Sequence, residues 1–187
     1  MSVSVVPHVR MNVDEFLAWS EQRPDDRYEL VDGEIVAITR DTIQHNRSKG
    51  AAYRALWDAV RAAGPPCEVF IDGVAVTVNE NTVRIPDVIV QCGVEAHPGA
   101  MVADSPLVVV EVVSPPSECE DKDAKFMDYF SVAGIQHDLI FFSERRAVIH
   151  HRRSGRGTIE SAILKESEIV LDPPSLSIPV AALLGSL

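Results

Sequence analysis

The chain predicts an α/β or α+β fold, a mixed β-sheet with helices packed on its faces. Three observations predict it: an Asp-Gly hairpin signal at Asp32-Gly33, an Ala-rich helical stretch from Thr42 to Ala63, and a β-branched run from Leu107 to Val113. Helices and strands interspersed along one chain give a sheet buried by the helices between its strands. With 187 residues, 46% of them apolar, one domain can bury a sizeable core without a disulfide or a structural metal.

After a loose leader, residues 1–11, Asn12 can cap a helix, with Glu15 three residues on and Val13, Phe16 and Leu17 on one buried face. That helix ends before Pro24. Tyr28 to Val36 then reads as a β-hairpin, because Asp32 and Gly33 between two apolar stretches both tolerate φ > 0. The helix from Thr42 to Ala63 repeats Ala52, Leu56, Ala59, Val60 and Ala63 at helical spacing, and Gly64-Pro65-Pro66 stops it. Val69 to Val78 and Val83 to Val90, on either side of the polar turn Asn79-Glu80-Asn81, predict a second strand pair.

Residues 92–106 read as a surface loop. Leu107 to Val113 reads as a central strand buried on both faces, with Glu111 inside it. Ser117 with Glu120 forms a capping-box signature for a helix reaching about Ala133, and Gly134 stops it. Ile135 to Phe142 and Ala147 to His151 predict a strand pair turning near Glu144-Arg145-Arg146. Thr158 to Leu164 and Glu168 to Leu171 extend that antiparallel portion, and Pro179 begins a short helix through Leu184. Trp19 and Trp57 fall on predicted helices as core residues. No repeat or linker divides the chain, so residues 12–187 are expected to form one domain.

Lys plus Arg number 17 and Asp plus Glu 28, a formal charge of −11, so the molecule as a whole does not attract a polyanion. Any nucleic-acid contact must come from a local patch or a metal. Cys67, Cys92 and Cys119 are odd in number and form no C-x-x-C pair, which predicts reduced thiols. No stretch reaches the roughly 18 apolar residues of a membrane span, and the N-terminus lacks a signal-peptide core. The expected location is the cytoplasm.

Glu111 is the most informative residue. A carboxylate amid β-branched residues costs several kcal/mol to bury unless a cation, a metal or a proton compensates it. An ion pair with Arg84 or Lys125, or exposure at a sheet edge, would also satisfy it. Asp87 is a second acid of this kind, following Pro86 and preceding Val88-Ile89-Val90. Two converging strand-borne carboxylates suit Mg²⁺ or Mn²⁺, whereas the histidines are too scattered for zinc. Asp121, Lys125 and Tyr129 fall at successive i, i+4 positions and share a helix face. They are either a solvated charged face or, looking back at the Glu111 strand, the source of an ammonium that orients water or stabilises a developing phosphorane oxygen. Arg145-Arg146 and His150-His151-Arg152-Arg153, with Arg156 beyond, are either a phosphate-tracking patch or a solvated turn. Aromatic residues there are too few to stack the bases of a single strand.

Tyr28-Glu29-Leu30-Val31-Asp32-Gly33-Glu34, His45 opening the long helix, Pro86-Asp87-Val88, Glu111-Val112-Val113-Ser114-Pro115, and Asp121, Lys125 and Tyr129 followed by Gly134 together resemble the Uma2 branch of restriction endonuclease-like proteins, within the PD-(D/E)XK nuclease superfamily. The resemblance runs from about residue 12 to the C-terminus. It implies a restriction-endonuclease-like fold, with Asp87 and Glu111 as the metal-binding pair. The superfamily's lysine stands two residues after the second acid, where this chain has Val113, and Lys125 would supply the displaced amine. Glu29 matches an acid of the hairpin motif, either reaching the cation through water or lying as a surface charge. His45, Asp121 and Tyr129 match further positions, read as substrate-binding, although His45 at a helix start can equally pack or cap. Ile135-Gln136-His137-Asp138-Leu139-Ile140 departs from the usual Val-Pro-Glu-Tyr-Trp-like segment.

The function implied is a Mg²⁺- or Mn²⁺-dependent endonuclease hydrolysing phosphodiester bonds of DNA to leave 5′-phosphate ends, as a homodimer. The alternatives are a catalytically inactive nucleic-acid-binding module and a homodimeric interaction protein in which Glu111 and Lys125 form a buried ion pair.

Overall fold

The computed structural model describes the backbone of residues 10–113, 121–155 and 157–185, and side chains for the same residues except 121–123. The Ser117–Glu120 capping box, Cys119 and Arg156 lie outside the described residues. Asn12 and Glu15 exchange both hydrogen bonds of a capping box, each 2.9 Å, and open α1 (Val13–Glu21). β1 (Tyr28–Val31) and β2 (Glu34–Ala37) flank Asp32 and Gly33, whose φ values of 50° and 82° are those a two-residue hairpin turn requires. Thr42 accepts from the His45 amide and starts α2 (Ile43–Ala63). Gly64, at φ 73°, closes it by donating to the Val60 carbonyl.

The expected second strand pair is in fact four strands: β3 (Cys67–Ile71), β4 (Val76–Asn79), β5 (Thr82–Arg84) and β6 (Val88–Cys92). Asp72 and Gly73, at φ 55° and 83°, break the first stretch and Pro86 breaks the second. β4 and β5 pair with each other and join the hairpin in a sheet of order β2-β1-β5-β4, while β3 pairs with β6 in the larger sheet. That second register sets Cys67 opposite Cys92 with Cα atoms 4.0 Å apart, and a disulfide joins them. The expectation of reduced thiols is corrected at these two positions, because only the pairing of β3 with β6 brings together residues 25 apart in sequence.

β7 (Pro106–Val113), α3 (Asp121–Ser131), β8 (His137–Phe142), β9 (Ala147–Arg153) and β10 (Ile159–Leu164) complete the main architecture. The larger sheet has the order β10-β9-β8-β7-β6-β3, with β7 and β8 parallel and the other pairs antiparallel. β11 (Glu168–Leu171) and β12 (Leu176–Pro179) form a separate two-stranded sheet instead of extending it, and α4 (Val180–Leu184) follows Pro179 as expected. α4 approaches α2 so closely that a Cβ on Gly185, at φ 70°, would lie 2.9 Å from the Ala51 Cβ. Only glycine fits there.

β7 is covered on both faces. Val108, Val110 and Val112 pack with Ala52 and Leu56 of α2, and Val109 packs on the other face with Tyr129 and Ile135. Strand alternation places Glu111 on the Val109 face, toward α3. Trp19 packs edge-on against Tyr28, but Trp57 keeps 39% of its exposure and is not the core residue its helical position predicts.

The departing segment on β8 buries His137 beside His150 of β9. The Pro173 carbonyl can only accept, so His137 Nε2–H donates to it at 2.9 Å; in the neutral ring Nδ1 then accepts from His150 Nε2–H, also at 2.9 Å. Burial holds both imidazoles down to about 4. In the unfolded chain they take protons near 6.5, so between these values the unfolded state binds more protons and stability falls as pH drops. Denaturant unfolding across this window should show a steeper acid loss for the parent than for the double variant His137→Gln/His150→Gln. Parallel curves would contradict the neutral pair.

Candidate active site

Antiparallel pairing of β6 with β7 brings Asp87 and Glu111 to one end of the sheet. Val88 lies opposite Val110, and the Asp87 amide donates to the Val110 carbonyl at 3.0 Å. The Asp87 carboxylate turns back onto β7, where Oδ2 accepts from the Val112 amide at 2.7 Å. One acid is therefore oriented by the backbone group that follows the other.

Glu111 meets α3, on which Lys125 and Tyr129 share a face. Its Oε1 accepts from the Tyr129 hydroxyl at 2.5 Å and from Lys125 Nζ at 3.2 Å. Among the described residues Oε2 has no hydrogen-bond partner, and the side chain keeps 18% exposure. Burial raises the Glu111 pKa to about 7, with Asp87 and Glu29 adding to the rise and Lys125 and the Tyr129 hydrogen bond opposing it. Burial and the Glu111 charge hold the Tyr129 phenol well above its ordinary value.

Glu29, on β1, is buried at 4% exposure and is not a hairpin surface charge. It accepts from Arg84 at 2.9 Å and from the Ile85 amide at 3.0 Å, and Lys125 Nζ stands 3.1 Å away. Lys125 thus bridges Glu29 and Glu111. Arg84, one of the two cations considered for Glu111, instead joins Glu29 to Asp128, which it reaches at 2.7 Å.

The α2 side of Asp87 is also charged. His45 Nε2 donates to Asp87 Oδ1 at 3.3 Å, and this bond is the main cause of its raised pKa. Lys49, 1% exposed, touches Asp41, lies 3.2 Å from Asp72 and is 3.5 Å from Asp87 Oδ1. Burial would lower its pKa, but the three aspartates outweigh that and raise it. Arg27 binds the same Asp41 and Asp72. Asp41, His45 and Lys49 lie at i, i+4 spacing, so this stripe was readable in the sequence although it was not singled out. Asp72 follows β3 in a turn that carries no such signal.

Asp138 was missed although it bears the mark that singled out Glu111, an acid inside an apolar strand. It lies on β8 opposite Val109, is 1% exposed, and its Oδ1 has no hydrogen-bond partner among the described residues. Burial and then the Glu111 charge push its pKa up to about 8. Asp121 opens α3, and its side chain lies outside the described residues.

Two carboxylates from adjacent strands, one with an unpartnered oxygen, fit Mg²⁺ or Mn²⁺, which use one or two carboxylates and keep several waters. Among the described residues no three His, Cys, Asp or Glu side chains converge into a preformed metal cage. Nor is any helix among them long and apolar enough to cross a membrane.

A mixed central sheet flanked by helices, with acids at the end of paired inner strands, defines the restriction-endonuclease-like class of nuclease folds. The family model for Uma2, described as "Putative restriction endonuclease", matches residues 13–181, and the chain belongs to this family. A crystal structure described as a "putative nuclease belonging to DUF820" from Anabaena variabilis superposes with a TM-score of 0.70. The match covers 93% of this chain and 97% of that one at 16% identity, a likeness of fold. The "Uncharacterized protein slr1290" of Synechocystis sp. is 28% identical over 138 residues, 73% of this chain and 71% of that protein.

The raised Asp138 pKa makes a stability prediction. Between its unfolded value of 3.8 and about 8 the folded chain holds the extra proton, so stability falls as pH rises through that window. Asp138→Asn should match the parent near the lower bound and gain toward the upper, by up to ~1.4 kcal/mol per pH unit. Thermal unfolding measured across this range checks it, and a variant less stable than the parent at the alkaline end would contradict it.

Proposed function

We propose that the chain is a metal-dependent phosphodiesterase, an endonuclease acting on DNA, in which Asp87 and Glu111 hold Mg²⁺ or Mn²⁺. The observation that carries this reading is the Asp87–Glu111 pair itself, with Asp87 Oδ2 fixed on the Val112 amide and Glu111 Oε2 left unpartnered among the described residues. Membership of the Uma2 family supports a nuclease.

When bound, the cation neutralises phosphate charge and lowers the pKa of the attacking water. The chain's own residues do the rest. The Val112 amide and His45 orient Asp87, and the buried Tyr129 hydroxyl fixes Glu111. This use of its hydroxyl makes Tyr129 a positioning residue, and the donor role of His45 makes it an anchor for Asp87. Lys125, 3.2 Å from Glu111 Oε1, stands beside the phosphate and stabilises charge developing on its oxygens. It replaces from a helix the lysine that the superfamily places where Val113 stands. Glu29 acts through Lys125 by holding its ammonium from the other side. Water attacks phosphorus in line and loses a proton to solvent, the bond to the 3′ oxygen breaks, and that oxygen takes a proton from solvent. The expected homodimer would set two such sites against two strands.

Calorimetric titration of Mn²⁺ should show binding to the parent and its loss in Glu111→Gln. Glu111→Ala should abolish Mg²⁺-dependent DNA cleavage while the chain stays folded, and Lys125→Ala should lower kcat roughly 100- to 1,000-fold. Equal cleavage by parent and Glu111→Ala overturns the assignment. Binding by neither protein, with strong stability coupling between Glu111 and Lys125 in a double-mutant cycle, would favour a noncatalytic module built on that ion pair.

A further inference from the structure

The basic run on β9 and the turn before it divides into two parts in the fold. On the strand its members have partners within the chain, a surface one in the case of Arg152. Arg152 pairs with Glu160, Arg153 donates to the carbonyls of Phe130, Val132 and Ile135, and His150 is held by His137. In the turn, Arg145 and Arg146 are exposed, with Arg145 over the Phe142 ring at 5.7 Å. Exposed Lys165, at the end of β10, lines the same surface cavity as these two arginines.

The topology puts this cavity at the catalytic end of the sheet. β7 and β8 are parallel, so Val113 lies opposite Phe142, and the β8–β9 turn continues from the edge where Glu111 and Asp87 sit. Ser143 in the turn bonds Ser48 at 2.8 Å, one helical turn along α2 from His45. At about 3.3 Å per residue Phe142 lies roughly 7 Å along the sheet beyond the level of Glu111, and the turn continues past it.

The turn is also fixed in shape. The Arg146 amide donates to the Ser143 carbonyl at 3.3 Å, and Arg146 sits at φ 45°, a left-handed conformation that glycine adopts with less strain.

We infer that Arg145, Arg146 and Lys165 form a surface that tracks the phosphate backbone of duplex DNA leading into the Asp87–Glu111 site. The inference rests on the nuclease reading of that site. Glu144 beside the arginines and Glu166 in the cavity limit the net charge, so the surface guides a backbone without trapping it. Among the described residues the aromatic ring next to the turn, Phe142, lies under Arg145, an arrangement that favours a duplex over stacked single-stranded bases.

The test is fluorescence anisotropy of a labelled duplex about two helical turns long, in Ca²⁺, from about 50 to 200 mM salt. Arg145→Ala/Arg146→Ala should raise Kd roughly tenfold at the lower salt and reduce the slope of log K against log salt by about 2. Mn²⁺ binding and Tm should stay at parental values. Arg146→Gly should weaken duplex binding while keeping or raising Tm, an outcome that a merely structural role for the turn would not give. If the parent binds duplex and both variants match it in Kd and slope, the inference falls and the nuclease reading stands. A parent that binds only single strands or RNA overturns the duplex assignment. A parent that binds no nucleic acid at all overturns both.

Discussion

The arrangement of the molecule depends on carboxyl groups crowded at one end of its central sheet. Glu29, Asp41, Asp72, Asp87, Glu111 and Asp128 gather there around four permanent cations, Arg27, Lys49, Arg84 and Lys125, with Asp138 deeper along β8. Each cation serves at least two acids: Arg27 and Lys49 share Asp41 and Asp72, Arg84 holds Glu29 and Asp128, and Lys125 holds Glu29 and Glu111. Burying charge costs several kcal/mol, and four cations do not balance seven acids. Asp138 and Glu111 are costly to ionise, and His45 leans on Asp87. A divalent cation at Asp87 and Glu111 would relieve the same imbalance.

The fold divides this task between two helices on opposite faces. α2 brings His45 and Lys49 to Asp87, while α3 brings Lys125 and Tyr129 to Glu111. The strands that join these two half-sites are held in register by ordinary sheet pairing and by the Val112 amide on Asp87. Lys125 reaches Glu111 from α3, while Val113 on β7 is buried. The turn after β8 extends the same edge outward.

Much of this was legible because it is local. The capping box at Asn12, the Asp32-Gly33 turn, the glycine stop at Gly64 and the i, i+4 face of Lys125 and Tyr129 are each written within a few residues, and the folded chain has all of them. What escaped is set by register and topology. Nothing near Cys67 announces Cys92, and Asp72 reaches Lys49 only because the turn after β3 meets α2. The split of Val69–Val90 between two sheets follows from breaks at Gly73 and Pro86 that propensity alone does not weigh. Asp138 is different, because its signal was present and went unread beside the stronger one at Glu111.

The most direct test of the central claim is anomalous scattering from crystals of the parent protein soaked with Mn²⁺. The account predicts one strong peak between Asp87 and Glu111, roughly 2.1 Å from an oxygen of each, with Lys125 still on Glu29. A peak seated among Asp41 and Asp72 instead, or no peak at saturating Mn²⁺, would contradict it.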